Sequence, residues 1–481
     1  MFTPKDIKVK LLSYGPRAEF KIDGRDFQVE PDLLIALEGI GTFKGVTLEE
    51  RLQEFLKAGK DLEKIAFKMH QESTRRGHAS LTTSLSLQLE VNTCSRVASM
   101  LLVSPPFASY LQESQRRRRL RPSDFMIPGE IASNQVLERE FERAVNSSYE
   151  TYSWMIERGI ELEDARYVLP LASKTSIFIS SSLESLIGFI LRSREDSSEY
   201  YPAELALIGR LIEEKVSSIA PALLKARMDF KTPLPTYPYA NPYKPEDPLM
   251  DSVVADAGFP NKPIPLALNV HPRAVEHAKN LLSDPSMAAS LNPFIQTLFL
   301  EPLSLAAYHQ SIRHRTVPTA VESIYSAARR ALKDLRRSSI IPPKIRSSES
   351  IMRRFYDTMH VVLGSYQKFL DENVRPSDAV YLLPQALKIY VVRMYNAFNL
   401  LWPQGYVATR TCSRAQWEER EVAYEIWRRI GERYPDLGEL MGEKCKILGY
   451  CPEREWCPII LKYRSYGDEE HKRANRLNRK G

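Results

Sequence analysis

Two stretches of this chain read as copies of one another, and that repetition constrains its fold more than any single motif does. Ala79, Ser95 and Ser114 match Ala288, Ser304 and Ser323 at a constant spacing of 209 residues. Upstream, Pro16, Arg17 and Ala18 match Pro272, Arg273 and Ala274 at 256; downstream, residues 166–170 match 380–384 at 214. The first copy therefore carries extra residues (256 − 209 = 47) between Ala18 and His78, where helical periodicity predicts an added helical segment. The expected fold class is α/β (α+β): two tandem modules of like architecture, each a sheet flanked by long helices, packed about a pseudo-twofold axis. The boundaries read as 1–228 for the first module with its insertion, 229–268 for a Pro-rich linker, 269–461 for the second module and 462–481 for a basic tail.

At 481 residues the chain exceeds what one ordinary core can organise. A composition of 43% hydrophobic and 26% charged residues is that of a globular protein, and no run of eighteen apolar residues is available to cross a membrane. The first residues lack the apolar region of a signal peptide, which points to the cytoplasm. Five cysteines in this length do not make a disulfide framework, so reduced thiols are expected. A formal charge of +7 favours anionic ligands such as nucleotides.

Along the chain, residues 7–13 alternate as a strand, 48–76 carry helical spacing, 85–91 read as a strand and 94–103 as a helix. Between the copies, Pro233, Pro235, Pro238, Pro242, Pro245, Pro248, Pro260, Pro263 and Pro265 argue for an extended strap and against helix. The charged residues after Tyr463 read as a frayed or surface-bound tail.

In the second copy a mostly apolar run, Leu303 to Tyr308, leads into Arg313-His314-Arg315, with Ser323 eight positions beyond the last of them. Two guanidiniums flanking a ring donor suit a phosphate-bearing cofactor and nucleotide, because guanidinium binds phosphate in bidentate fashion. Further on stand Arg410, Thr411, Cys412, Ala415, Gln416, Trp417, Glu418 and Arg420, and then Cys445, Cys451-Pro452-Glu453 and Cys457. These three blocks, in this order, resemble the flavin-dependent thymidylate synthases (ThyX), whose signature reads R-H-R-x2-S-x-N-x2-S-x-R-Y. The second copy departs from it with Pro318, Ala320 and Tyr325-Ser326; the first copy has Ser104-Pro105-Pro106 at the front but keeps Ser109, Ser114 and Arg116 at the back.

The resemblance implies FAD as cofactor, with NADPH and methylene-tetrahydrofolate as co-substrates, and dUMP methylated to dTMP. It implies catalytic or flavin roles for Arg313, His314 and Arg315, flavin contacts for His78, Ser80 and Arg410, and substrate contacts for Gln310, Ser109, Ser114, Arg116, Ser323 and Arg420, the last also catalytic. Since each copy keeps the half of the signature the other has lost, composite sites and one FAD per chain follow. Two chains would supply the four modules that the family assembles from four subunits, with 183–191 and 395–402 as interface helices. The alternatives are a non-catalytic scaffold that binds flavin or nucleotide, and a flavin-dependent methyltransferase acting on uracil in a nucleic acid, the latter motivated by the basic run Arg116 to Arg119 with Arg121. No glycine-rich dinucleotide fingerprint occurs. Cys445, Cys451 and Cys457 are each five residues apart, unlike structural zinc knuckles; with His471 as a distant fourth ligand, zinc is the weaker reading and a packed, reduced clasp the default, so no metal is expected.

Overall fold

The computed structural model describes residues 1–76, 78, 80–194, 198–229 and 237–477. Ala79, Pro233, Pro235 and the last four residues of the tail lie outside them. The chain forms two compact units, Met1–Tyr239 with Arg353–Pro384, and Ala240–Met352 with Gln385–Gly481. All but the first turn of the helix Glu349–Asp371 thus belongs to the first unit.

The described residues form ten strands: β1 (Lys8–Gly15), β2 (Ala18–Ile22), β3 (Arg25–Val29), β4 (Ser86–Ser95), β5 (Ala108–Gln112), β6 (Lys174–Ser182), β7 (Ile264–Val270), β8 (Ile295–Ser304), β9 (Thr319–Val321) and β10 (Lys388–Asn396). They form two four-stranded antiparallel sheets, ordered β1-β4-β6-β5 and β7-β8-β10-β9, and a hairpin β2-β3. The two sheets share one topology. Strand β4 recurs as β8 displaced by 209, and β6 as β10 displaced by 214. Even the register is kept, since Ser95 faces Lys174 and Ser304 faces Lys388. The helices follow suit: Gln135–Glu157 and Glu349–Asp371 are 23 residues each, again 214 apart. The duplication seen in scattered sequence matches is therefore a duplication of structure.

Strand β4 forms where Leu87, Leu89 and Val91 alternate with polar residues, and those three side chains are buried. The helix that follows, Arg96–Leu102, is buried along its whole length, as is its counterpart Leu305–Ser311. What anchors both is one arrangement. The Ser95 N–H and hydroxyl donate to Glu204 at 2.8 and 2.5 Å, and the Ser304 N–H and hydroxyl donate to Glu418 at 2.6 and 2.7 Å. Each serine also caps its helix, accepting from Ala98 N or Ala307 N. A carboxylate that takes both donors of one buried residue fixes the strand-to-helix corner against the helix carrying the glutamate, Ala203–Ser217 or Trp417–Arg433.

The 47-residue excess comprises the hairpin β2-β3 and three helices, Pro31–Lys44, Leu48–Lys57 and Leu62–Arg75. The hairpin turns at Asp23-Gly24, both with positive φ, the backbone that an Asp-Gly turn accommodates. Thr47 and Glu50 form a reciprocal capping box, and Asp61 caps the third helix through Lys64 N.

Within the first unit, the long helices Gln135–Glu157 and Glu349–Asp371 pair antiparallel. Phe141 stacks with Phe369 at 6.5 Å, Ser365 donates to Glu140 at 2.5 Å and Thr151 bonds Thr358 at 2.7 Å, one number falling as the other rises. The segments that lead into β6 and β10 meet there too, Ala172 N donating to Tyr381 O at 2.8 Å.

Three expectations are corrected. The strap is not helix-free: Pro248–Asp256 is a helix, because Pro248 stands at its first turn, where no N–H is needed, and Asp247 caps it through Met250 N. Pro265 lies in β7, an edge strand that tolerates a missing donor. The tail is helical over Asp468–Leu477, held by Trp456 Nε1 donating to Asp468 at 2.6 Å and by buried His471. The proposed interface segments are packed inside their own units: Leu183, Leu186, Ile187, Ile190, Tyr395 and Leu400 are all fully buried. No helix among the described residues is long and apolar enough to cross a membrane.

Removing the cap hydroxyl in either copy, Ser95→Ala or Ser304→Ala, should lower stability by about 1–3 kcal/mol, each taking a donor from a buried carboxylate, with the smaller loss at Ser95, where the Tyr381 hydroxyl still donates to the same Glu204 oxygen; urea denaturation measures both, and a larger loss for Ser95→Ala would count against this. Arg143, Ser365 and Lys368 hold the Glu140 carboxyl down to about 2. Its contribution to stability is full above the unfolded value of about 4.3 and lost as pH falls through about 2. Glu140→Gln should therefore flatten the acid limb of the stability profile over that window.

Candidate functional site

The basic triplet lies in the turn that follows the helix Leu305–Ser311, not on the helix itself. Gln310 is buried in the last turn of that helix, Arg313 and His314 are half-buried, and Arg315 is exposed. Arg410, at the end of the helix Tyr406–Arg410, donates through Nε to His314 Nε2 at 2.7 Å, and its Nη2 touches the same atom. A ring nitrogen that accepts from a guanidinium carries no proton, so His314 is the neutral tautomer with its N–H at Nδ1. Burial, reinforced by Arg410, Arg393 and Arg313, pushes its pKa well below the ordinary histidine value. The result is a neutral donor between fixed positive charges.

Beneath the triplet runs a buried polar network that the sequence reading did not single out. Arg393 on β10 donates through Nε to Glu301 on β8 at 2.7 Å and through Nη2 to the Tyr406 hydroxyl at 2.9 Å. Tyr406 donates in turn to Glu419 at 2.9 Å, and Tyr395 to Glu301 at 2.6 Å. The Tyr406 ring meets the His314 ring edge-on at 5.1 Å. Glu301, Arg393 and Glu419 are each at most 1% exposed. Burial pushes the Glu301 carboxyl up against the pull of Arg393, yet the guanidinium cannot shed its proton and so keeps a carboxylate charge beside it. The available signal was only a charged residue in each of two otherwise apolar runs; the register sets the two diagonally, Glu301 opposite Val391 and Arg393 opposite Phe299.

At the equivalent positions of the first copy, by the 209 and 214 displacements, stand Asn92, Ile179, Ser181 and Leu205 in place of Glu301, Arg393, Tyr395 and Glu419. The Ser–Glu clamp is present in both copies; the charge network is in one.

The motif around Arg410 divides its labour. Glu418 is the clamp, Gln416 caps its helix by accepting from Glu419 N at 3.0 Å, and Arg420 donates to Ser413 O at 3.1 Å. Ser323, expected to meet substrate, is instead a buried helix cap: its hydroxyl donates to Lys244 O at 2.5 Å and accepts from Tyr325 N and Ser326 N.

In the first unit, Ser109 is exposed on β5 and Ser114 is exposed, its hydroxyl accepting from Arg116 N at 3.3 Å. Arg116 is paired with Glu163, Nε to Oε1 at 2.9 Å. Arg118 is likewise matched by acids, meeting Glu113 at 2.8 Å and Asp124 at 3.1 Å, and Arg119 donates to the Ser153 hydroxyl at 2.5 Å, which weakens the case for a nucleic-acid patch. Ser80 is exposed at the start of a short helix. His78 lines a cavity of about 260 Å³ beside Arg76, Lys44 and Met69 of the insertion. The structure thus gathers His314, Arg410 and their flanking arginines in one unit, and places His78, Ser80, Ser109, Ser114 and Arg116 in the other.

The profile of the family described as "Thymidylate synthase complementing protein" matches residues 43–222 and 291–436, one segment in each copy. The flavin-dependent thymidylate synthase of Pyrococcus abyssi is 29% identical over 171 residues, covering 34% of this chain and 66% of that protein. The enzyme of the same description from Thermococcus kodakarensis is 38% identical over 118 residues, 24% of this chain and 48% of its own. The chain therefore spans between about half and two-thirds of the length of these relatives. Among solved structures, a UMP/dUMP methylase, PolB, from Streptomyces cacaoi aligns with 17% identity and a TM-score of 0.38, covering 50% of this chain and all of that one.

Arg393→Met should destabilise the protein by about 3–5 kcal/mol, because it strands Glu301 and Glu419 without their shared cation. The triple change Glu301→Asn, Arg393→Ile, Glu419→Leu, which installs the first copy's residues at the three charged positions, should recover most of that loss, since replacing a whole buried ion cluster by uncharged residues is near neutral. Thermal unfolding of the single and triple variants decides it: a triple variant no more stable than the single would show that the network supports the fold.

Proposed function

Because the chain belongs to the thymidylate synthase complementing protein family, we propose that it is a flavin-dependent thymidylate synthase in tandem form. The reaction is dUMP, methylene-tetrahydrofolate, NADPH and a proton giving dTMP, tetrahydrofolate and NADP⁺. The observation that carries this reading is the pairing of Arg410 with a neutral His314 between Arg313 and Arg315, over a charge network that only the second copy retains.

The donor set suits FAD. Arg313 and Arg315 offer guanidinium to phosphate, and His314 offers an uncharged Nδ1–H; a neutral imidazole there adds a directional donor without adding to the repulsion among the arginines. Bound flavin would supply the electron-transfer chemistry that carries reducing equivalents from NADPH. The chain's own residues bind and orient: Arg410 holds the His314 ring, Arg393 and Tyr406 hold the floor beneath it, and Gln310 and Arg420 belong to the nucleotide side. Ser109, Ser114 and Arg116 serve the dUMP phosphate, with Glu163 yielding Arg116 to it, while His78 and Ser80 add to the flavin side. Ser323, spent as a cap, has no part. Two chains supply four copies, and the locus of action is the cytoplasm.

Reconstitution with FAD should give one flavin per chain by absorbance, two per dimer. Arg313→Ala should abolish retention. Arg116→Ala should keep the flavin and weaken dUMP about 10- to 100-fold, the worth of one charged hydrogen bond to phosphate. Two flavins per chain would refute the asymmetry between the copies, and none after reconstitution with excess FAD would favour the non-catalytic scaffold, to which Pro318, Ala320 and the capped Ser323 already lend weight.

A further inference from the structure

Four of the five cysteines converge on one cavity of the second unit. Cys445 on the short helix Lys444–Leu448, and Cys451 and Cys457 on the loop beyond, line it together with Cys412, which the sequence separates from Cys445 by more than thirty residues. All are free thiols. The fourth member is thus a cysteine rather than His471, whose ring is occupied by Tyr466 and by Arg454 O at 3.2 Å each.

The walls are tied from both sides. Arg414 meets Glu455 at 2.9 Å, Lys444 meets Glu453 at 3.9 Å, and Cys451 N donates to the Tyr466 hydroxyl at 3.2 Å. Tyr466, Ile460 and Cys451 form a small core of their own, backed by Trp456. A loop of this kind, with a core of few residues, gains most from a staple. Thiols packed merely as apolar filler have no reason to face a shared space, whereas thiolates around a metal centre must.

The spacing of the set selects the kind of centre. Among the described residues no group of three or more His, Cys, Asp or Glu is placed to hold a metal ion. Tetrahedral zinc, with Zn–S near 2.3 Å, needs its four sulfurs drawn in to about 4 Å of one another. An iron–sulfur cube is larger than one ion, and its four thiolates stand further apart around it. Four cysteines that surround a cavity without closing on a point fit the second case.

We propose that Cys412, Cys445, Cys451 and Cys457 hold a [4Fe–4S] cluster. It staples the loop 441–466 to the turn after Arg410, two residues from Cys412, and so positions the guanidinium that holds His314. This departs from the sequence expectation of a metal-free clasp.

The test uses the full-length protein prepared without oxygen and reconstituted with ferrous iron and sulfide, then desalted. Iron and acid-labile sulfide should each approach about four per chain. Cys451→Ser and Cys457→Ser should lose most of both, while Cys94→Ser, which alters the one cysteine away from the cavity, should keep the wild-type content; circular dichroism checks that each variant is folded. These counts need neither flavin nor dUMP, so they stand or fall apart from the proposed reaction. Wild-type protein without iron and sulfide, one zinc per chain without sulfide, or equal loss in Cys94→Ser would each overturn the cluster.

Discussion

A buried serine whose N–H and hydroxyl both end on one glutamate is the interaction on which the rest depends, and the chain makes it twice. Ser95 with Glu204, and Ser304 with Glu418, sit where a central strand turns into a fully buried helix. A corner of this kind exposes helix N–H groups to an apolar surrounding, and an unpaired donor there costs about as much as the hydrogen bond it lacks. The carboxylate resolves this and locks the later helix against the sheet at the same stroke. In the first copy Tyr381 adds a third donor to Glu204 at 2.8 Å, so burial raises that carboxyl against three opposing bonds. Everything that carries chemistry in the second copy hangs from this corner: Gln310 at the end of the helix it starts, and the triplet in the turn after.

Where the copies differ is as informative. Strands, register and clamp survived the duplication, while the Glu301, Arg393, Tyr395 and Glu419 network has no charged counterpart in Asn92, Ile179, Ser181 and Leu205. Buried ion clusters contribute little to stability compared with apolar packing of the same volume, so a copy that no longer needs one loses it at no cost to its fold. A copy that keeps it is using it for something else. Here the network supports His314 and Arg410, residues whose partners in the first copy are absent from the signature, Pro105 standing where His314 would be.

Much of this was legible in the residues. Matches at 209 and 214 revealed the repeat, and the five-residue difference between them falls after Ser114 and Ser323 and ahead of the long helices, where added length leaves the serine and its glutamate in place. The triplet was found by its chemistry. The Asp23-Gly24 hairpin signal was present and passed over, hidden by the helical periodicity that follows it. The helix Pro248–Asp256 was missed because proline density was read as uniform, whereas position within a helix decides what proline does. Glu301 and Arg393 lie 92 residues apart, in runs whose composition says only core, and nothing local pairs them. Ser323 kept its place in the motif and changed its task, since a serine at a helix start serves the backbone first when that backbone is buried.

The cysteines show why pairing over long separations escapes a reading by motif. Spacing rules for metal sites work when the chain returns to the ion within a few residues, so that neighbouring positions supply neighbouring ligands. Cys445, Cys451 and Cys457 fail such a rule, and the fourth thiol comes from Cys412, carried to the cavity by the helix Trp417–Arg433 and the turn that closes back beneath it. Tyr424 on that helix donates to Glu443 at 2.6 Å, and Tyr463 reaches the same carboxylate from the far side at 2.5 Å. Glu443 is buried and lines the same cavity. The loop is therefore already gripped by the helix that begins at the Ser304 clamp, and the position of Cys412 follows from the fold of the second copy and not from any local sequence pattern around the other three.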